Sequence, residues 1–163
     1  MTTAEYSSAQ LAAEEVAMSL PALDNNVALA LGNIAVELGR ERSLPIAIEV
    51  RIGDWTVFHV SLPGTDTVND QWIARKARVV ALTGHSTLHE RTKAAEEGID
   101  WYAVNNAPEE SHAIHGGGLP LIVSGQGQCG TLLISGLPQL DDHLLGIEIL
   151  TKYLKALKVP SVE

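Results

Sequence analysis

The sequence predicts an α+β fold in which helices pack on the faces of an antiparallel sheet. Apolar residues recur at helical spacing in several segments, and strand-like apolar segments occur in adjacent runs between those helices. Adjacent runs of strands favour an antiparallel sheet, because a parallel sheet would alternate each strand with a helix. The chain has 163 residues and neither an internal repeat nor a linker, so a single domain is expected.

Two helices are predicted before the sheet. The Ala- and Glu-rich segment from Ala9 to Met18 favours a short helix that ends at Leu20-Pro21, because proline disfavours helical backbone in the residue before it. Asp24 is a candidate N-cap for a second helix, in which apolar residues recur from Val27 to Leu38. The predicted division is an N-terminal arm over residues 1–22, the domain over residues 23–158 and a C-terminal tail over residues 159–163.

A β-hairpin follows the second helix. Apolar and polar residues alternate from Ile46 to Ile52, Gly53-Asp54 supplies a two-residue turn, and the second strand runs from Trp55 to Ser61. A turn of that length puts His59 opposite Ile48, on the buried face of the hairpin.

The second half of the chain adds helices, strands and a final helix. Helices are predicted over 69–82 and 86–97, and Gly98 is a natural C-cap for the latter. Strands are expected over 119–123 and 131–135, with a further short strand from His112 to His115. In the last helix, Asp141 or Asp142 is the expected N-cap and an apolar stripe extends to Leu157.

Charge and cysteine content limit the partners and the compartment. The chain has 11 Lys and Arg against 20 Asp and Glu, a net charge of −9. Such a field repels polyphosphate backbones and anionic lipid surfaces, so neither nucleic acid nor membrane is expected as a partner, although a local basic patch can still hold a small anion. Cys129 is the single cysteine, which rules out an intrachain disulfide and makes a cytoplasmic location the default expectation.

The segment from Gly125 to Gly130 matches the G-x-G-x-x-G pattern of dinucleotide-binding domains. In those domains a helix follows the glycines, and its N-terminus binds the pyrophosphate. Here an apolar strand follows, so the segment is interpreted as a hairpin turn.

Three groups of short motifs occur in a fixed order between about residue 44 and residue 157. They are Pro63-Gly64-Thr65 followed by Asn69-Asp70, Trp72-Ile73 and Arg75-Lys76; His115-Gly116-Gly117-Gly118-Leu119-Pro120; and Ser135-Gly136-Leu137-Pro138 followed by Asp142-His143. In this order and spacing the chain resembles the haem-degrading (GlcG/HbpS-like) domain family, in its branch of small cytosolic proteins without a settled activity. The resemblance implies a profilin-like fold with a five-stranded antiparallel sheet, homo-oligomers of two or more subunits, and binding or degradation of haem.

With that resemblance, His115 becomes the candidate haem ligand, because a haem iron needs an axial His, Met, Cys or Tyr. The glycines beside it, Gly116, Gly117 and Gly118, either let a ligand or a strand approach the backbone closely or form a tight turn. A hydrogen-bonded structural histidine is the alternative for His115.

Lys76 lies on an otherwise apolar helix face, at i+4 from Trp72. It can extend to solvent, pair with an acid such as Asp142, or bind an anionic group such as a haem propionate. Arg75, on another face, is also included among the candidate ligand-binding residues. Asp142 is either a helix cap or part of the site, in which His143 with Lys76 and His115 would supply a ligand, an anion anchor and a proton shuttle.

His85 and His89 are four residues apart, the spacing of helical zinc sites. The sequence at His89 is not a complete His-Glu-x-x-His motif and reveals no third ligand, so no metal site is predicted there.

The function predicted is that of a homo-oligomeric protein that binds haem or another small anionic molecule, with haem degradation as the implied reaction. The alternative is a non-catalytic assembly or adaptor protein that acts through its oligomeric surface and the tail 159–163. The candidate ligand-binding residues are Arg75, Lys76, His115, Gly116, Gly117, Gly118, Asp142 and His143.

Overall fold

The computed structural model describes residues 6–159, and within them the sheet has four strands. All three neighbouring pairs are antiparallel, in the order β2-β1-β4-β3. The fold is therefore α+β with an antiparallel sheet, as predicted, but the expected five-stranded sheet is wrong. The strands are β1 (Ala47–Ile52), β2 (Trp55–Ser61), β3 (Gly118–Val123) and β4 (Gly127–Ser135).

The strand predicted from His112 to His115 is irregular backbone instead. The Ala113 N–H donates to the Arg75 carbonyl over 3.2 Å, and the Ile114 N–H donates to the Tyr102 hydroxyl over 3.2 Å. Because these two N–H groups donate to residues in helices, the segment forms no hydrogen-bonded ladder with a neighbouring strand. The outer edge of β3 instead receives a single parallel bridge from Leu20 to Val123.

The β1–β2 hairpin contains an irregularity that moves His59 to the other face. The pairing register shifts by one residue between Val50 and Arg51. His59 therefore pairs with Glu49, whereas the predicted partner was Ile48. A bulge of one residue reverses the face of every residue beyond it. His59 is consequently exposed, and its Nδ1 lies 3.0 Å from a Glu49 carboxylate oxygen.

Six helices lie in the described part of the chain. They are α1 (Ser8–Ala17), α2 (Asn25–Glu41), α3 (Thr67–Thr83), α4 (Thr87–Glu97), α5 (Trp101–Val104) and α6 (Gln139–Leu157). The Asp24 side chain accepts from the Val27 N–H over 2.9 Å, which confirms the predicted cap of α2. Gly98 ends α4 in the left-handed conformation, also as predicted.

The prediction for the start of α6 is wrong. Pro138 is its N-cap and no side chain caps it, so Asp141 and Asp142 both lie inside the first turn. Carboxylates there still complement the helix dipole. The Asp142 carboxylate binds both the Lys76 Nζ and the Leu137 N–H, which lies just before the helix.

The helices cover both faces of the sheet. On one face α2 and α6 pack on the strands and on each other, around the main apolar core that includes Leu31, Ile48, Leu132 and Ile149. On the other face α3 lies across β4, β3 and β1, and its Ile73 packs with residues of β1 and β4. The candidate site lies at the end of β4, between α3 and α6.

The N-terminal segment packs on the domain. α1 contacts α4 and β3, and Leu11 and Leu20 are buried. Of the predicted tail 159–163, residues 160–163 lie outside the described residues. Between residues 6 and 159, none of the helices has the length and apolar character needed to cross a bilayer.

Candidate functional site

A cavity of about 310 Å³ opens between α3, the loop before β3, the end of β4 and the start of α6. Three of the predicted site residues line it: Lys76 from α3, His115 from the loop and Asp142 from α6. Trp72, one helical turn before Lys76, forms another part of the wall. Residues from three separate segments thus meet at one opening.

The floor of the cavity is a buried ion pair. The Lys76 Nζ lies 3.1 Å from an Asp142 carboxylate oxygen and donates to the Ile134 carbonyl over 2.8 Å. The second Asp142 oxygen accepts from the Leu137 N–H over 3.1 Å. Only 3% of Lys76 and 2% of Asp142 is exposed, so of the roles considered for Lys76, pairing with Asp142 is the one present.

Burial works against both charges of this pair. It lowers the pKa of Lys76, and the Asp142 carboxylate opposes that shift. It also raises the pKa of Asp142 to about 6, although Lys76 and the neighbouring backbone N–H groups act in the opposite direction. Desolvation disfavours a charged group in the interior, so the pair depends on its hydrogen bonds.

His115 stands at the cavity with an unsatisfied ring nitrogen. Its Nδ1 is buried and has no hydrogen-bond partner among the described residues. The ring meets Trp72 in an edge-to-face contact with centroids 4.7 Å apart. Burial, the largest cause, and nearby positive charges lower the pKa of His115 to about 4; the charges belong to Arg91, Lys76 and Arg75. The imidazole is therefore neutral at neutral pH, and one of its two ring nitrogens carries a lone pair.

Arg75 lies outside this cavity. Its guanidinium carbon is 4.3 Å from the centre of the Trp72 ring, and its Nη2 donates to the Glu109 carbonyl over 2.6 Å. It borders a second, open depression of about 810 Å³, to which Trp72 also contributes. The Trp72 ring is thus the common wall between the two spaces.

The three glycines are buried and do not line the cavity. A Cβ on Gly116 would collide with the Gln139 carbonyl, and one on Gly118 would lie 2.9 Å from a Thr87 methyl group. Gly117 has a φ of +123°, and a Cβ there would collide with the Ile134 carbonyl and lie 2.7 Å from the Lys76 Nζ. Close packing of the chain on itself accounts for all three.

His143 faces away from the cavity. It is 1% exposed, and its Nε2 lies 2.7 Å from a carboxylate oxygen of Glu14 in α1. The structure thus brings Lys76, His115 and Asp142 together at the cavity, but neither His143 nor Arg75.

The nearby Arg91 was not among the predicted site residues, and neither were six residues that line the cavity: Asn69, Trp72, Ser135, Gly136, Leu137 and Gln139. Arg91 acts on the pKa of His115. Asn69 belongs to the first group of motifs, so the sequence contained a signal that could have identified it as a site residue. Nothing in the local sequence singles out Gln139 or Arg91.

Asp142 is expected to make the protein less stable as the pH rises from about 4 to about 6. Its pKa rises from an ordinary value of 3.8 to about 6 in the folded protein, so in this range the folded form holds a proton that the unfolded chain has released. The stabilisation from this bound proton is fully present below the pKa of Asp142 in the unfolded chain. It is lost as the pH rises through the pKa of Asp142 in the folded protein. Urea unfolding over this range measures it, and Asp142→Asn should lack it. Equal pH slopes for the two proteins would contradict the assignment.

Comparison with known proteins gives consistent sequence matches. The family model described as "Haem degrading protein HbpS-like" matches residues 23–151. A protein of Streptomyces avermitilis called "UPF0303 protein" is 38% identical over 145 residues, which cover 89% of each chain. A "UPF0303 protein" of Brucella anthropi is 32% identical over 159 residues and covers 94% of each chain.

Solved structures share the fold at lower sequence identity. The crystal structure of the Ybr137w protein has a TM-score of 0.86 at 23% identity, covering 97% of this chain and 91% of that chain. A crystal structure of a PduOC:haem complex has a TM-score of 0.65 at 20% identity, covering 87% and 99%. That of HbpS has a TM-score of 0.62 at 17% identity, covering 84% and 91%.

Proposed function

Because the chain belongs to the HbpS-like family of haem-degrading proteins, we propose that it is a homo-oligomeric binding protein for haem or another small anionic molecule. The ligand enters the cavity beside His115. The observation that carries this proposal is the neutral His115 imidazole, with a ring nitrogen that has no partner among the described residues. The Nδ1 of His143 also lacks a partner among the described residues, but His143 faces away from the cavity, whereas His115 lines it.

The donors at the cavity fit a haem. A neutral imidazole is a common axial ligand, so His115 would hold the iron without losing a proton first. Arg75 and Arg91 supply positive charge near His115, which suits propionates or another carboxylate. The charge of Lys76 is balanced by that of Asp142, and the pair forms the floor of the cavity. Haem bound there would supply a redox-active iron.

The size of the cavity bears on the choice of ligand. A volume of about 310 Å³ suits a small molecule, and lies at the lower end of the roughly 300–1,000 Å³ of ligand pockets in general. A porphyrin is larger than this. The adjoining depression beyond Trp72, about 810 Å³, offers room for the remainder of a larger ligand. The PduOC:haem complex supports haem as the first ligand to test, because that protein shares the fold.

Titration of haemin into the purified protein, followed in the Soret band, tests the proposal. We expect a saturable shift with one haem per chain. His115→Ala should weaken the affinity at least tenfold or abolish the shift, because a metal-ligand bond is lost. His59→Ala is the matched control, since His59 is exposed on β2 and makes no contribution to the cavity. Circular dichroism would show that both variants fold.

The outcomes separate the alternatives. A shift that persists unchanged in His115→Ala would remove this residue as the iron ligand. No saturable shift in the native protein would exclude haem and would favour either another small ligand or the assembly or adaptor function. Loss of the Soret band after a reductant is added in air, seen in the native protein and not in His115→Ala, would extend the proposal from binding to haem degradation.

Homo-oligomer formation in the cytoplasm is part of the same proposal. β2 is an edge strand of the sheet, and Trp55 at its start is 59% exposed, a combination that favours association with another copy. The single Cys129 supports a reducing compartment. Light scattering should give a multiple of the 17.4 kDa chain mass, and a monomer would contradict this part.

A further inference from the structure

A second cluster of ligand-type side chains lies between α1 and α4. Glu15 of α1, His85 of the α3–α4 connection and His89 of α4 each offer one ligand atom, and these atoms lie within 4.8 Å of one another. None of the three lines the cavity beside His115. We propose that Glu15, His85 and His89 bind a divalent transition-metal ion, with Zn²⁺ as the best match.

The donor set is that of a zinc site with an open position. Two imidazoles and one carboxylate are a known set of three protein ligands for Zn²⁺, in which water takes the fourth place. Bond lengths of about 2.0–2.2 Å require tetrahedral ligand atoms roughly 3.5 Å apart, so the cluster must contract by about 1 Å. His85 can make that movement, because 43% of its side chain is exposed.

Hydrogen bonds around the cluster already orient two of the ligands. The His89 Nδ1 lies 2.9 Å from a Glu90 carboxylate oxygen, whose partner oxygen accepts from the Trp101 Nε1 over 3.2 Å. A carboxylate on one nitrogen fixes the ring and leaves Nε2 free to bind metal, the usual arrangement around ligating histidines. One Glu15 oxygen accepts from the Ser86 N–H over 2.7 Å, which holds that carboxylate at the site.

The contact between Glu15 and His85 alone does not account for the cluster. The His85 Nδ1 lies 2.8 Å from a Glu15 oxygen, a complete hydrogen bond for these two residues. It gives no reason for His89 to stack on His85 with ring centroids 4.1 Å apart at an angle of 21°. In this stack the in-plane lone pairs of the two rings do not point at one centre, so binding of a shared cation requires the exposed His85 ring to turn relative to His89.

Zinc titration of the full-length chain, freed of metal with a chelator, tests the site by calorimetry. We expect one Zn²⁺ per chain, and Co²⁺ substitution should give the absorption bands of a tetrahedral nitrogen and oxygen site. Glu15→Gln and His89→Ala should each weaken Zn²⁺ affinity about 10- to 100-fold or more, and Glu90→Gln about tenfold, as expected for an outer-shell partner.

The matched control is Glu14→Gln, next in sequence to Glu15 but directed at His143. Its zinc affinity should equal that of the native chain. Since Glu15 and His89 are buried, their variants can lose stability; His85→Ala, at the exposed ligand, then provides the second test. No stoichiometric binding by the native chain, or equal affinity in His85→Ala and the native chain, would overturn the proposal. Haemin binding plays no part in any of these readouts.

Discussion

Lys76→Met is expected to lower the free energy of unfolding by about 3–5 kcal/mol near pH 8, because it leaves a buried carboxylate without its partner. Lys76 and Asp142 are both almost fully buried, and the ammonium group also donates to the Ile134 carbonyl. The substitution keeps the length and apolar stem of the side chain, so the loss reports mainly on the pair. Urea denaturation of the native chain and the variant measures it.

Two further measurements identify the cause of that loss. Near pH 5 the destabilisation should be smaller, because Asp142 has a pKa of about 6 and becomes neutral by protonation. The double variant Lys76→Met/Asp142→Asn should recover much of the lost free energy of unfolding at both pH values. The amide oxygen introduced at position 142 can accept from the Leu137 N–H without bearing a charge. Equal losses at the two pH values in Lys76→Met would show that the unpaired charge is not responsible.

Gly117→Ala is expected to cost about 3–5 kcal/mol of stability or to prevent folding, through backbone strain and overpacking together. Gly117 has a φ of +123°, and a Cβ there would meet the Ile134 carbonyl, which belongs to the sheet and cannot move aside. The methyl group would also press on the Lys76 Nζ and on Asp142, which form the floor of the cavity.

Gly125→Ala is the matched control for this prediction. Gly125 also has a positive φ, +81°, but a Cβ built on it meets nothing within 4 Å. Its replacement should therefore cost only the strain, about 1 kcal/mol or slightly more. Urea denaturation of both variants measures the difference. If Gly117→Ala is as stable as Gly125→Ala, close packing does not explain the glycine at 117.

Local rules were sufficient for most of the elements. The cap at Asp24 and the left-handed Gly98 are both present as predicted, because each depends on residues only a few positions away. The context of the G-x-G-x-x-G segment also indicated its structure correctly. Val123 pairs with Gly127, so the hairpin turn occupies residues 124–126 and the rest of the segment, from Gly127 onward, is already part of β4.

Predictions failed where a local preference competed with a distant partner. The segment from His112 to His115 has the composition of a strand, but its backbone donors bind Arg75 and Tyr102. Asp142 was an expected helix cap, but α6 begins at Gln139 and the Asp142 carboxylate binds Lys76 of α3. The face of His59 depended on one extra residue in a bulge, which alternation of apolar residues does not reveal.

By itself the sequence determined the α+β class, the positions of most helices and strands, and the residue types available for a site. Only the tertiary structure decided which of them meet: Lys76, Asp142 and His115 share a cavity, while His143 binds Glu14. It also brought Glu15 to His85, 70 residues further along the chain. Periodicity and capping act over a few residues, whereas the pairing of distant side chains depends on how whole helices pack on the sheet.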